Sequence, residues 1–183
     1  MTHVFVAGSR AVSRLNSQVR ERLDNIMKQD FIVLVGDASG ADKAVQRYLA
    51  KCRYGKVVVY SMEVCRNNVG GWPTRTHSAE PGSKQDRHYY GIKDLAMVKD
   101  ASCGFMLWDG ASKGTLANVV NLLNMRKKVL LYLSPKKLFF KLRVFEDLDQ
   151  ALHANGIDNV PAFLTSLGMP EPLSQDLRLA TFS

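Results

Sequence analysis

His3-Val4-Phe5-Val6-Ala7-Gly8-Ser9-Arg10 is a short apolar run that stops at a small-residue break, and its reading governs that of the chain behind it. An apolar run of this length suits a strand covered on both faces, as in a parallel sheet. After the break, Leu15, Val19, Leu23, Ile26 and Met27 fall on one face of a helix, at spacings of four, four, three and one. The unit then repeats. Phe31 to Val35 reads as a second strand, Ala44, Val45, Tyr48, Leu49 and Cys52 as a second helical stripe, and Val57 to Tyr60 as a third strand. Strands alternating with amphipathic helices are the signature of crossover units in an α/β fold, here a doubly wound parallel sheet.

From Ser61 to Gln85 the periodicity stops, and Asn67, Asn68, Gly70, Gly71, Pro73, Pro81 and Gly82 supply turn chemistry. Residues 61–85 therefore read as an irregular loop insertion, of the kind that serves as a lid or binding loop. Regular structure is expected again as a helix over Asp86 to Lys99, a strand over Ser102 to Trp108, a helix over Thr115 to Met125 and a strand over Lys128 to Leu133. That makes residues 1–133 the main domain, with 134–183 a C-terminal appendage packing on it or on a dimer partner. In the appendage, Phe139 to Phe145 reads as an edge strand, Glu146 to Ala154 and Val160 to Leu167 as short helices, and the last dozen residues as a mobile end.

Composition bounds the class. Of 183 residues, 46% are hydrophobic and 23% charged, which is ordinary globular usage and excludes disordered and collagen-like chains. No apolar run reaches the roughly eighteen residues of a membrane span, and the start is strand-like rather than a basic segment followed by an apolar signal core. A cytoplasmic protein without membrane association is expected. Cys52, Cys65 and Cys103 lack the paired spacing of metal or redox motifs, so neither a metal site nor a disulfide framework is expected. A net charge of +8 implies an anionic partner, with nucleotide, nucleic acid and acidic membrane all admissible from charge alone.

Three strand-to-helix junctions hold small residues: Gly8-Ser9-Arg10, Gly36-Asp37-Ala38-Ser39-Gly40-Ala41-Asp42 and Asp109-Gly110-Ala111-Ser112-Lys113-Gly114-Thr115. Glycine permits close backbone approach, and a helix starting there turns unpaired N–H groups toward an anion such as phosphate. Alternatively, Gly8 and Gly36 only end strands, with Ser9 and Ser39 capping the helices that follow. In a doubly wound sheet all three junctions lie at the carboxyl edge, where ligands bind beside the reversal of strand order. None matches the dinucleotide fingerprint or the lysine-containing P-loop, and no cofactor is expected.

These junctions, together with Lys93-Asp94-Leu95-Ala96-Met97, resemble the successive motifs of the SLOG superfamily. It groups the Lonely Guy phosphoribohydrolases, the DprA/Smf DNA-processing proteins and the small YspA/YpsA-like proteins, and the resemblance covers about residues 3 to 133, nearest the last branch. It implies a Rossmann-like sheet with strand order 3-2-1-4-5, a nucleotide or nucleotide-derived ligand at the carboxyl edge, and a homodimer. It also implies that Gly8, Ser9 and Arg10 face the ligand from the first strand, and that Gly36, Ser39, Gly40 and Asp42 line the second loop. Gly110, Ser112, Gly114 and Thr115 would cradle phosphate with Asp109 near the ribose, and Lys93 and Asp94 stand where the family has an Arg-Asn or Arg-Lys pair.

One departure bears on activity. The phosphoribohydrolases carry a catalytic Glu three residues after the loop Thr, where this chain has Asn118 after Thr115. An amide can neither take a proton as general base nor stabilise an oxocarbenium-like state as a carboxylate does. Asp109 and Asp94 are the leading candidates for a substitute, with Asp86 and Glu80 behind them. The expected function is thus a sensor or carrier of a nucleotide-like ligand. The alternatives are an N-glycosidase acting on a nucleotide and a DprA-like single-stranded DNA binder, with any nucleic-acid binding weak and salt-dependent. His77 and His88 lie near the irregular stretch, and Trp72, Tyr89 and Tyr90 there can either stack on a base or anchor the loop.

Overall fold

The computed structural model describes residues 1–80, 82 and 84–168, so the end expected to be mobile lies outside the described residues. The sheet is built outward from β1 (His3–Gly8), which pairs in parallel with β2 (Ile32–Gly36) on one side and with β5 (Cys103–Trp108) on the other. Parallel pairings to β3 (Val57–Met62) and β6 (Lys128–Leu133) extend it on the two flanks. These five strands run β3-β2-β1-β5-β6, the order implied by the resemblance.

Two edge strands complete a seven-stranded sheet of order β4-β3-β2-β1-β5-β6-β7. On one edge, β4 (Thr74–His77) pairs in parallel with β3, inside the stretch expected to be irregular throughout. Its sequence is Thr-Arg-Thr-His, with no apolar alternation, because an outermost strand with both faces largely wet carries no hydrophobic face to read. On the other edge, β7 (Leu138–Leu142) pairs antiparallel with β6, which it can do because a tight turn suffices there.

Side chains along the strands alternate between two cores. Val4 and Val6 of β1 face a core formed with α1 (Ser17–Lys28) and α2 (Ala41–Lys51), which contribute Val19, Leu23, Val45 and Leu49. Phe5 and Ala7 face the opposite core, built with α3 (Arg87–Asp100), α4 (Lys113–Asn124), α5 (Phe145–Ala154) and α6 (Val160–Ser166). Both sheet faces are therefore covered, which explains the unbroken apolar strands. Among the described residues no helix is long and apolar enough to cross a membrane.

Helix starts follow side-chain capping. Asn16 accepts from the Val19 N–H at α1, Asp86 from those of His88 and Tyr89 at α3, and Ser112 from that of Thr115 at α4. Ser9 and Ser39 do not act as caps. Ser9 lies too far before α1, and α2 is capped by Gly40, whose φ of +79° and contact with the Arg10 backbone leave no room for a side chain.

The segment from Ser134 to Gly168 shares a core with the main domain: Leu148, Ala151 and Leu152 of α5 are buried in the cluster that contains Trp108 and Leu131. Leu148→Ala is expected to destabilise the whole domain by about 2–5 kcal/mol, through lost burial and the cavity left behind. Urea unfolding followed by tryptophan fluorescence and by circular dichroism checks this, with one coincident, earlier transition expected from both probes.

Candidate functional site

Strand order reverses between β1 and β5, and at the carboxyl ends of these two strands lies a cavity of about 590 Å³. Ser9 ends one wall and Asp109 the other. The Ser9 hydroxyl donates to Asp109 Oδ2 at 2.7 Å, tying the two strand ends together. Asp109 Oδ1 accepts from the N–H groups of Ala111 (3.1 Å) and Ser112 (2.7 Å), which folds the loop into α4. Burial would raise the pKa of Asp109, but the bonds from Ser9, Ser112 and Ala111 outweigh it and hold the carboxyl below its ordinary value. With both oxygens engaged in these three bonds, Asp109 shapes the loop and ties the two strand ends together.

The first turn of α4 opens onto the same space. Ser112, Gly114 and Thr115 line it, and Thr115 donates to Ser112 Oγ through both its N–H (3.4 Å) and its hydroxyl (3.0 Å). The N–H groups of Lys113 and Gly114 have no acceptor within the helix, as in any first turn. A side chain added at Gly114 would meet nothing within 4 Å, so the backbone there is open to a ligand.

Lys93 forms the floor. It is 3% exposed, a burial that a lysine tolerates only when paired. Its ammonium lies 2.9 Å from Asp94 Oδ1 and 3.9 Å from Asp37 Oδ1, while the backbone of Gly36 gives it room beside Asp42. A methyl group on Gly36 would sit 2.4 Å from Asp42 Oδ2 and 2.9 Å from Lys93 Nζ. Burial alone would lower the pKa of Lys93, but Asp94, Asp42 and Asp37 reverse the shift and keep it charged. Asp94 uses its second oxygen to accept from Asn118 Nδ2 at 3.2 Å.

Asp42 sits at the start of α2, buried, and accepts the Ala38 N–H at 3.2 Å. Burial pushes its pKa up to about 7, with Asp94 and Asp37 adding to the shift and Lys93 and the Ala38 N–H opposing it.

The loop after β3 closes the site from the side. Asp37, wholly buried, receives two side-chain bonds from Arg66, at 2.7 and 3.0 Å, and one from the Arg66 N–H at 3.0 Å. Buried Gln46 holds the same loop, donating to the Gly36 and Asn67 carbonyls and accepting from the Val69 N–H. Arg66 in turn lies 4.5 Å from the Tyr90 ring centre, with Arg10 at 5.9 Å from the same ring. Tyr90 therefore stacks on guanidinium groups. Trp72 is buried and donates to the Tyr54 carbonyl at 2.9 Å, so it anchors the loop.

Of the residues expected at the site, Gly8, Ser9, Arg10, Asp42, Lys93, Asp94, Asp109, Ser112, Gly114 and Thr115 line the cavity. The other four stand behind it or beside it. Gly36 makes room for the Asp42 and Lys93 pair, Gly40 packs on Arg10, Ser39 is exposed, and Gly110 has a φ of +85° with Asn155 donating to its carbonyl at 2.9 Å. Asp86 and Asn118 also line the cavity, whereas Glu80, His77 and His88 do not. Asp37, Gln46 and Arg66 escaped the sequence reading. An isolated Gln in a helical stripe and an isolated Arg in a loop carry no periodic signal, and only long-range pairing gives them a role. No family model, curated protein or solved structure matches the chain.

Since Asp42 has a folded-state pKa above its ordinary 3.8, its stabilising contribution is complete below that value and is lost as pH rises through about 7. Asp42→Asn removes this component. Thermal unfolding of the two proteins from pH 5 to pH 8.5 is expected to show the variant gaining on the wild type as pH rises to about 7 and the difference levelling off above that.

Proposed function

We propose that this protein binds a nucleotide or nucleotide-derived ligand at the carboxyl edge of its sheet and acts as a sensor or carrier, as a small member of the SLOG superfamily would. The observation that carries the reading is the open first turn of α4 facing a cavity of about 590 Å³ at the reversal of strand order. That volume suits a ligand of nucleotide size. Helix N–H groups and the positive end of the helix dipole favour a phosphate there, with Gly114 leaving the approach open. Arg10 at the cavity wall adds a cation that no carboxylate of the protein holds in an ion pair among the described residues.

Binding without turnover has support at the two carboxylates expected to stand in for the family's Glu. Asp109 and Asp94 each have both oxygens in hydrogen bonds, and Asn118 is committed to Asp94. A glycosidase needs one carboxylate free to activate water or to attack the sugar, and general base catalysis is worth about a hundredfold to ten-thousandfold.

Gly114→Val is expected to fold normally and to weaken nucleotide binding by about tenfold or more, since the new side chain fills the approach to the helix start. Calorimetric titration of wild type and variant with a panel of nucleoside 5′-monophosphates checks this. Undiminished affinity in the variant removes the α4 loop from the site, and no binding of any member by wild type removes the nucleotide reading.

In the same panel, release of free base by the wild type is expected to be undetectable in a routine assay. Asn118→Glu is expected to gain little, because its carboxylate would lie against that of Asp94. Brisk wild-type release that is lost in Asp94→Asn or Asp109→Asn would replace the sensor reading with a hydrolase.

A further inference from the structure

We propose that the cavity takes up its anionic ligand together with one proton, and that Asp42 is the group that carries it. This rests on the nucleotide-binding reading of the cavity and names the charge state in which the site works.

The argument begins with the charges packed around Asp42. Asp37 precedes it in the β2–α2 loop, Lys93 and Asp94 come from α3, and Arg66 reaches in from the loop after β3. Asp42, Asp37 and Lys93 are each at most 5% exposed. Three carboxylates thus face two cations in a region where an uncompensated charge is costly. One proton makes the cluster neutral.

Among the three carboxylates the proton has one natural place. Asp37 is held by three bonds from Arg66, which keep its pKa below the ordinary value, and Asp94 has its two oxygens on Lys93 and Asn118. Asp42 has a single N–H bond, from Ala38, and the burial that raises its pKa to about 7 is not offset as it is at Asp37. It also lines the cavity, so an incoming ligand senses its charge.

The cavity lining repeats the imbalance. Arg10, Arg66 and Lys93 supply its cations, and Asp42, Asp86, Asp94 and Asp109 its carboxylates. With Asp42 ionised, the walls carry a net negative charge that repels a phosphate. With Asp42 protonated they balance, and the open turn of α4 then tips the site toward an anion. By reciprocity, a bound anion raises the affinity of Asp42 for its proton. Among the described residues no histidine lines this cavity.

Two measurements test this. In ligand-free protein labelled with carboxyl-13C aspartate, one aspartate is expected to titrate near pH 7 in the wild type, and its signal to be missing in Asp42→Asn. If every aspartate titrates below about pH 5, close to ordinary carboxylate behaviour, the proposal is overturned whatever the site binds.

Calorimetry with AMP at pH 6.5 and pH 8.5 is the second measurement. Wild-type affinity is expected to fall by about tenfold or more at the higher pH, following the protonated fraction of a group titrating near 7. In Asp42→Asn the affinity is expected to be the same at both pH values. The AMP phosphate is already largely dianionic at pH 6.5, and its remaining ionisation acts in the opposite direction. Equal wild-type affinity at both pH values overturns the proton-linked site while the nucleotide reading stands. Absence of AMP binding at either pH, with Asp42 titrating near neutrality, overturns the co-binding proposal and counts against the nucleotide reading as well.

Discussion

A lysine ammonium held out of water must be neutralised where it stands, and much of the candidate site follows from that requirement at Lys93. Asp94 and Asp37 approach it directly, and Asp42 packs beside it over the bare backbone of Gly36. The same Asp37 recruits Arg66 and with it the loop after β3, so one buried charge on α3 joins the second strand junction to the cavity wall. A compact ammonium suits this role because it can be approached from several directions, where a planar guanidinium would favour a single bidentate partner.

The other organising contact is Ser9 to Asp109. It spans the two strands between which the order of the sheet reverses, and it uses a carboxylate that in a different setting would be free for chemistry. Asp109, Asp94 and Asp37 are all consumed by structure, each holding a loop or a charge in place. An acid-rich cavity is therefore not automatically a catalytic one. What distinguishes Asp42 is that burial raises its pKa while a single N–H bond, from Ala38, compensates its charge.

The segment after β6 extends the same architecture. β7 continues the sheet, while α5 and α6 bury their apolar faces on the side already occupied by α3 and α4. Asn155, at the end of α5, reaches back to the Gly110 carbonyl and so supports the loop that leads into α4. Residues remote in sequence thus steady the turn that opens onto the cavity without lining it themselves.

The sequence by itself determined the alternation of strands and helices, six strands of the sheet, with β7 read as running on to Phe145, and the three junctions at its carboxyl edge. These rest on local rules: period-two and period-3.6 burial and the small residues needed at tight turns. It was silent where a residue's role depends on a distant partner. β4 is polar because it lies at an edge, Gln46 and Arg66 matter because a loop returns to them, and Asn118 matters because Asp94 lies across from it. Only the tertiary structure decided which carboxylates are paired and which one is left short, since charge compensation in a buried cluster is a property of positions in space. Spacing along the chain does not encode it.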